Sequence, residues 1–105
     1  MSIPVDVARL DDELARFGSN AFVLTTSDDG RPHISHISLT HERGVLRGGA
    51  GRHTAANIAS RPQVAILWPP RDTDGFSLIV DADARVEASI VHLTATRAIL
   101  HRPPP

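Results

Sequence analysis

The sequence predicts a mainly β fold: a small antiparallel β-barrel with two short helices. Three apolar runs, AFVL at 21–24, VAIL at 64–67 and FSLIV at 76–80, show little alternation between apolar and polar residues. A strand of this kind is buried on both faces and needs cover on each. A barrel covers one face, and two short helices are too small to cover all of the other. The sequence therefore predicts a barrel that pairs with a second copy of the chain.

The N-terminal half is predicted to hold one helix and three meandering strands. Apolar residues at helical spacing over Val7–Phe17 predict an amphipathic helix, with Asp6 as its cap and Gly18 as its stop. Three strands follow, at Ala21–Thr26, Pro32–Thr40 and Val45–Arg47, separated by the turns SDDG and HERG.

The C-terminal half is predicted to hold a helix, three strands and a short helical end. The predicted elements are a helix at about Thr54–Ser60, strands at Val64–Trp68, Gly75–Val86 and Ile90–Thr94, and a last helical turn at Thr96–His101. At 105 residues, we expect all of them to form a single domain spanning residues 1–105.

Composition narrows the function classes. The net charge of -1 gives no basic excess, so we expect no nucleic-acid partner. There is no apolar run of membrane-spanning length and no signal-peptide pattern, which predicts a cytoplasmic protein without a membrane partner. Cysteine, lysine and tyrosine are absent, which excludes thiolate and Schiff-base chemistry and one common general acid. The available groups are histidine, carboxylates, hydroxyls and a bound cofactor.

The segment Gly44–Asn57 joins a predicted strand to a predicted helix and is the strongest candidate for a ligand site. Gly48 and Gly49 would let a ligand approach the main chain, although the same glycines also suit a β-bulge. The start of a helix carries unpaired N–H groups and the positive end of the helix dipole. The segment therefore predicts a phosphate site.

Four side chains at this helix start are candidate ligands. Arg52 offers a planar guanidinium beside the glycines, and its alternative is an arginine in solvent. His53 could donate to the same phosphate. Thr54 could bind or simply cap the helix, and Asn57, one turn later, could face the ligand or close the turn.

Two other constellations are less favourable. His33 and His36 are three residues apart on a predicted strand, so their side chains point to opposite faces, and we predict no metal site. A hydrolytic triad of Ser35, His53 and Asp81 lacks the local sequence context of a nucleophile.

Three segments resemble the pyridoxamine 5'-phosphate oxidase-like flavoproteins, which are split barrels. AFVLTTSDDGRPHISHISLT resembles the opening hairpin of that family, GRHTAANIASRPQVAILW its phosphate-loop helix and next strand, and GFSLIVDADARV its fifth strand. They cover most of the chain in the family's order. The resemblance implies a six-stranded antiparallel split barrel of the FMN-binding type. It also implies a homodimer with FMN or a deazaflavin cofactor at the subunit interface.

The resemblance also assigns roles to residues. The family's phosphate-gripping S-R-K run falls on Arg52–Thr54, so one lysine has become threonine. Another phosphate-binding position of the family, an arginine, falls on Ser35. The family's flavin ring lies along this strand, so Ser35, His36 and Ser38 are candidate contacts. Trp68 packs in the core or dimer, or forms an aromatic wall for the ring.

The resemblance implies a flavin-dependent oxidoreductase that uses FMN or a deazaflavin on an unknown small-molecule substrate. The cofactor would transfer the electrons, and the protein would fix its ring. The alternative is a non-catalytic module that binds flavin, haem or another planar ligand, since a fold does not determine a function.

Overall fold

The computed structural model describes all residues, Met1–Pro105, as a curled antiparallel sheet with two helices. In chain order, the elements are β1 Ser2–Val5, a 3-10 turn Val7–Arg9, α1 Leu10–Phe17, β2 Asn20–Thr26, β3 Pro32–Ser38, β4 Thr40–Glu42, β5 Val45–Gly49, α2 Arg52–Ser60, β6 Gln63–Trp68, β7 Ser77–Glu87 and β8 Ile90–His101. The predicted mainly β fold is confirmed. Its six strands are present, and β1 and β4 are short additions.

The sheet curls until its two ends meet. Its strand order is β3-β2-β6-β7-β8-β5-β4, and β1 pairs with the last four residues of β8. β3 and β5 are not hydrogen-bonded to each other, but they touch: a Cβ built on Gly48 would lie 2.7 Å from Cγ2 of Ile37. The barrel is therefore closed between β3 and β5 by side-chain packing rather than by hydrogen bonds. This is the geometry of a split barrel.

The first helix is built as the sequence predicts. The carboxylate of Asp6 accepts a hydrogen bond from the N–H of Ala8 at 3.0 Å and caps the 3-10 turn that leads into α1. Gly18 ends α1 with a φ of 80°, a conformation that favours glycine. The buried residues of α1 lie at helical spacing and join the barrel core; they are Leu10, Leu14 and Phe17.

Several boundaries differ from the prediction. The predicted helical turn at Thr96–His101 is wrong, because these residues continue β8. β8 pairs with β7 on one side, and its last four residues pair with Ser2–Val5 on the other, so ladder hydrogen bonds override local helix preference. The predicted turn HERG is shorter than expected because Thr40–Glu42 forms β4. α2 begins at Arg52, two residues before the predicted Thr54.

The outer side of the barrel carries a continuous row of apolar side chains. Along β2, β6 and β7, fully buried residues alternate with half-buried ones. Leu67 lies opposite Phe22 on one neighbouring strand and opposite Ile79 on the other, and Ile79 lies opposite Ile99. We call Phe22, Leu67, Ile79 and Ile99 the outer apolar face. Neither helix is long and apolar enough to cross a membrane.

Candidate functional site

The first turn of α2 presents backbone donors that no side chain satisfies. Gly51 is the residue before the helix, in an extended conformation, and no side chain caps the helix there. The chain folds this way because glycine has no oxygen to offer to the first N–H groups, which stay unpaired at the positive end of the dipole. Arg52 and His53 are both exposed beside them. Arg52 takes no part in any ion pair of the chain.

A polar cluster ties α2 to β3. The hydroxyl oxygens of Ser35 and Thr54 are 2.5 Å apart, and Oγ of Ser35 is 3.3 Å from Nε2 of His33. The rings of His33 and His53 meet edge to face, with centroids 5.8 Å apart. The structure therefore brings four polar side chains together at the start of α2. Sequence reasoning considered His33 only as a metal ligand and missed its place beside His53.

Three of the predicted site residues are buried inside the chain. Thr54 is 1% exposed and bonded to β3 as described. The amide of Asn57 donates to the hydroxyl of Thr25 at 3.0 Å. The indole N–H of Trp68 donates to the carbonyl of Gly18 at 3.1 Å, and the residue is 1% exposed. Each polar atom named already has a partner, so a ligand could reach these side chains only by separating them from those partners.

His36 and Ser38 point away from α2. His36 stacks on Phe22 of the neighbouring strand, with ring centroids 4.7 Å apart and an angle of 22° between the planes. Ser38 is exposed on the same side of β3 as His36, by the strand's alternation. Ser35 faces α2 instead. The residues predicted to contact one flavin ring along this strand therefore fall on its two faces.

The two glycines of β5 differ in what surrounds them. A Cβ on Gly48 would collide with β3, at 2.7 Å from the carbonyl oxygen of Ser38 and 2.8 Å from Cδ2 of Leu39. The close approach at this position is therefore made by the protein's own strand. A Cβ on Gly49 would meet nothing within 4 Å, and the residue is exposed next to the loop that leads into α2.

A second concave region lies where α1 ends and β2 begins. Its volume is 350 Å³, and its lining residues are Phe17, Asn20, Phe22, His36, Pro69, Pro70 and Arg71. Sequence reasoning missed this cleft. The SDDG turn alone would not have found it: a turn centred between Asp28 and Asp29 places Phe22 opposite Ser35, whereas the observed register is centred on Asp29 and places Phe22 opposite His36.

Titratable groups do not form a metal centre. No group of three or more histidine, aspartate or glutamate side chains is placed to hold a metal ion. The carboxyl of Glu87 stands out, because a hydrogen bond from Arg85 lowers its pKa below the ordinary 4.5. It lies on the β7–β8 hairpin, not on β3 or α2.

Comparison with known proteins supplies the family. Residues 10–100 match the family model described as pyridoxamine 5'-phosphate oxidase. The chain belongs to this family. Uncharacterized proteins of Mycobacterium bovis and Mycobacterium tuberculosis are 32% identical to it over 99 residues, which cover 78% of this chain and 70% of theirs.

Solved structures of low sequence identity share the fold of this pyridoxamine 5'-phosphate oxidase family member. An FAD-binding protein from Mycobacterium smegmatis has a TM-score of 0.68 at 20% identity and covers 97% of this chain and 100% of its own. An F420 reductase has a TM-score of 0.69 at 17% identity, with coverages of 83% and 94%. HutZ, the haem storage protein of Vibrio cholerae, has a TM-score of 0.64 at 16% identity, with coverages of 90% and 94%.

Proposed function

We propose that this protein is a flavin-dependent oxidoreductase that holds FMN or a deazaflavin cofactor between two copies of the chain. The observation that carries the proposal is the uncapped first turn of α2, flanked by the exposed Arg52 and His53. Unpaired amides, a guanidinium and an imidazole on one short stretch are the donors that a phosphate group prefers.

The donor set fits the phosphate end of such a cofactor. The site has less charge than the family's S-R-K run, because Thr54 stands at the lysine position and is buried against Ser35. The grip would depend on the backbone amides of α2 and on Arg52, with His53 alongside. The exposed main chain at Gly49 leaves room next to the same turn. A bound flavin supplies electron transfer, and the protein supplies position and surroundings.

Fold neighbours support a planar cofactor of this kind. An F420 reductase, an FAD-binding protein and a haem storage protein all share the split barrel. FMN and a deazaflavin cofactor both carry a phosphate on a chain attached to a flat ring system, so the α2 site suits both. Titration with each cofactor decides which one the protein prefers.

A second copy of the chain is part of this proposal. The outer apolar face is continuous across four strands, and Ile34 at its margin is 60% exposed. A small domain gains most by burying such a surface against another subunit. We therefore propose a homodimer in which this face is the contact between the two barrels.

Titration of the purified protein tests the cofactor proposal. The expected result is a flavin or deazaflavin spectrum in the purified protein, or a saturable change in the spectrum of the added cofactor when it binds. Arg52→Ala should weaken binding of the phosphorylated cofactor by about 1.5–3 kcal/mol, because it removes a charge-assisted hydrogen bond. Arg9→Ala, at an exposed arginine in the 3-10 turn, is the matched control and should bind normally. A protein that ignores both cofactors would rule the proposal out.

A non-catalytic carrier is the second candidate. The polar cluster favours it, because His33, Ser35 and Thr54 are hydrogen-bonded to one another. Only His53 is left in that cluster to act as an acid or base. Reduction by a nicotinamide nucleotide, followed by reoxidation by an acceptor, separates the two functions. An enzyme turns over repeatedly, whereas a carrier retains its ligand without turnover.

A further inference from the structure

We propose that the cleft at the end of α1 binds a small planar aromatic carboxylate. The cleft lies between the end of α1, the start of β2 and the segment that follows β6, and its volume of 350 Å³ suits a molecule of one or two rings. It lies on the face of β3 opposite Ser35 and α2. The inference therefore goes beyond the proposed cofactor site and does not depend on a bound flavin. Phe22 belongs both to this cleft and to the outer apolar face, so the cleft lies at the edge of the proposed contact between the two copies.

Flat rings form two sides of the cleft. On one side, the ring of Phe22 is stacked with His36, with the two planes only 22° apart. Pro69 and Pro70 also line the cleft, and their pyrrolidine rings restrict the main chain there. Rigid, flat walls favour a rigid, flat ligand, because little motion is lost when it binds.

One end of the cleft carries a fixed positive charge. Nη1 of Arg71 donates to the carbonyl oxygen of Phe17 at 3.2 Å, at the end of α1. The guanidinium lies directly against Gly18, in the space that a side chain at residue 18 would occupy. Its remaining N–H groups have no partner in the chain. The neighbouring Asp72 is paired with Arg16 instead, so no carboxylate of the chain neutralises Arg71.

The other polar side chains that line the cleft, Asn20 and His36, can each donate a hydrogen bond to a carboxylate. Asn20 lines the cleft, is exposed, and its side chain makes no hydrogen bond within the chain. No aspartate or glutamate lines the cleft. A guanidinium binds a carboxylate through two parallel hydrogen bonds. The C-terminal end of α1 carries a partial negative charge, which repels a doubly charged phosphate more strongly than a singly charged carboxylate.

Titrations of the full chain without added flavin test this inference. Benzoate is the probe, and backbone and side-chain NMR shifts are the readout. Benzoate should shift the signals of Asn20, Phe22 and Arg71. The uncharged benzamide should bind about tenfold more weakly or worse, because it lacks the charge that pairs with the guanidinium. Cyclohexanecarboxylate, charged but not planar, should also bind more weakly.

Variants locate the site. Arg71→Gln retains a donor for the carbonyl of Phe17 but removes the charge, and it should reduce benzoate affinity about tenfold. Asn20→Ala, at an exposed position, should weaken benzoate without affecting folding. Arg9→Gln is the control and should leave the affinity unchanged. Equal binding of benzoate and benzamide, shifts confined to other residues, or normal affinity in both cleft variants would each overturn the inference.

Discussion

Gly48 lets β5 pack directly against β3, where the barrel closes. The positions that a Cβ would need are filled by Ile37, the carbonyl of Ser38 and Leu39. From sequence, the glycines before α2 were interpreted as room for a ligand or as a bulge. The structure gives Gly48 a packing reason instead, and a packing partner across the barrel is not visible in a local pattern.

Gly48→Ala should therefore destabilise the fold. The added methyl group must displace backbone and two core side chains, and overpacking of this kind costs about 1–3 kcal/mol. Gly49→Ala is the matched control, since its Cβ would enter open space, and it should change stability by less than about 0.5 kcal/mol. Urea denaturation measures both. Equal stability of the two variants would mean that β5 does not rest on β3.

The candidate site was partly predictable at the residue scale. A glycine-rich entry to a helix indicates exposed amides and basic groups at its first turn, and Arg52 and His53 are exposed there. Which side of α2 turns inward depends on contacts with β2 and β3. The burial of Thr54 and Asn57 therefore could not be derived from spacing alone.

At the scale of elements, the length of β8 shows why local preference failed. Thr96–His101 is predicted as a last helical turn, yet these residues continue β8, and Ala98–His101 lie between β7 and β1. The register shifts between Asp81 and Ala82, and the hydroxyl of Thr96 donates to the carbonyl of Asp81 at 3.1 Å. A β-bulge of this kind restores inward packing of Ala98 and Leu100.

The tight turn between β7 and β8 holds two non-glycine residues in the left-handed region. Ala88 has a φ of 48° and Ser89 a φ of 66°. Glycine adopts this conformation without strain, although it loses more entropy on folding. Because the strain removed is the larger effect, Ser89→Gly should stabilise the protein by roughly 0.5–1 kcal/mol. Ser38→Gly, at an ordinary strand position, should destabilise it instead. Thermal unfolding of both variants gives the comparison, and a destabilising Ser89→Gly would contradict it.

The same hairpin carries a pH-dependent contact. Nη1 of Arg85 lies 2.9 Å from Oε2 of Glu87, and this hydrogen bond and charge lower the pKa of Glu87 below 4.5. The stabilising effect is present above that ordinary value and is lost as the pH falls through the lowered pKa in the folded protein. Arg85→Gln should raise the pKa of Glu87 towards 4.5 in an NMR titration. Arg97→Gln is the control, and an unchanged pKa in Arg85→Gln would refute the assignment.

At the scale of the molecule, the fold was largely predictable because its signals are regular. Three features indicate the same small barrel: strands that are apolar on both faces, turn residues between them, and a capped amphipathic helix. The strand β1 was missed because its residues are mostly exposed, so they carry no burial pattern. Its place depends on the far end of the chain, through pairing with β8.

Burial of the outer apolar face between two copies is the prediction for the whole molecule. Leu67 lies at its centre, between Phe22 and Ile79. Leu67→Lys should convert a dimer into a monomer in sedimentation experiments, because it would bury an unpaired charge at the contact. Thr73→Lys, in the exposed loop after β6, is the control and should remain dimeric. A wild-type monomer would exclude the dimer outright.

Trp68 gives the molecule a built-in optical reporter. It is the single tryptophan of a chain that has no tyrosine, so the ultraviolet emission comes from one indole. That indole is enclosed in the core and bonded to the carbonyl of Gly18, where α1 meets the barrel. Loosening of the junction between α1 and the barrel should therefore shift the emission to longer wavelength, even while the rest of the sheet stays intact.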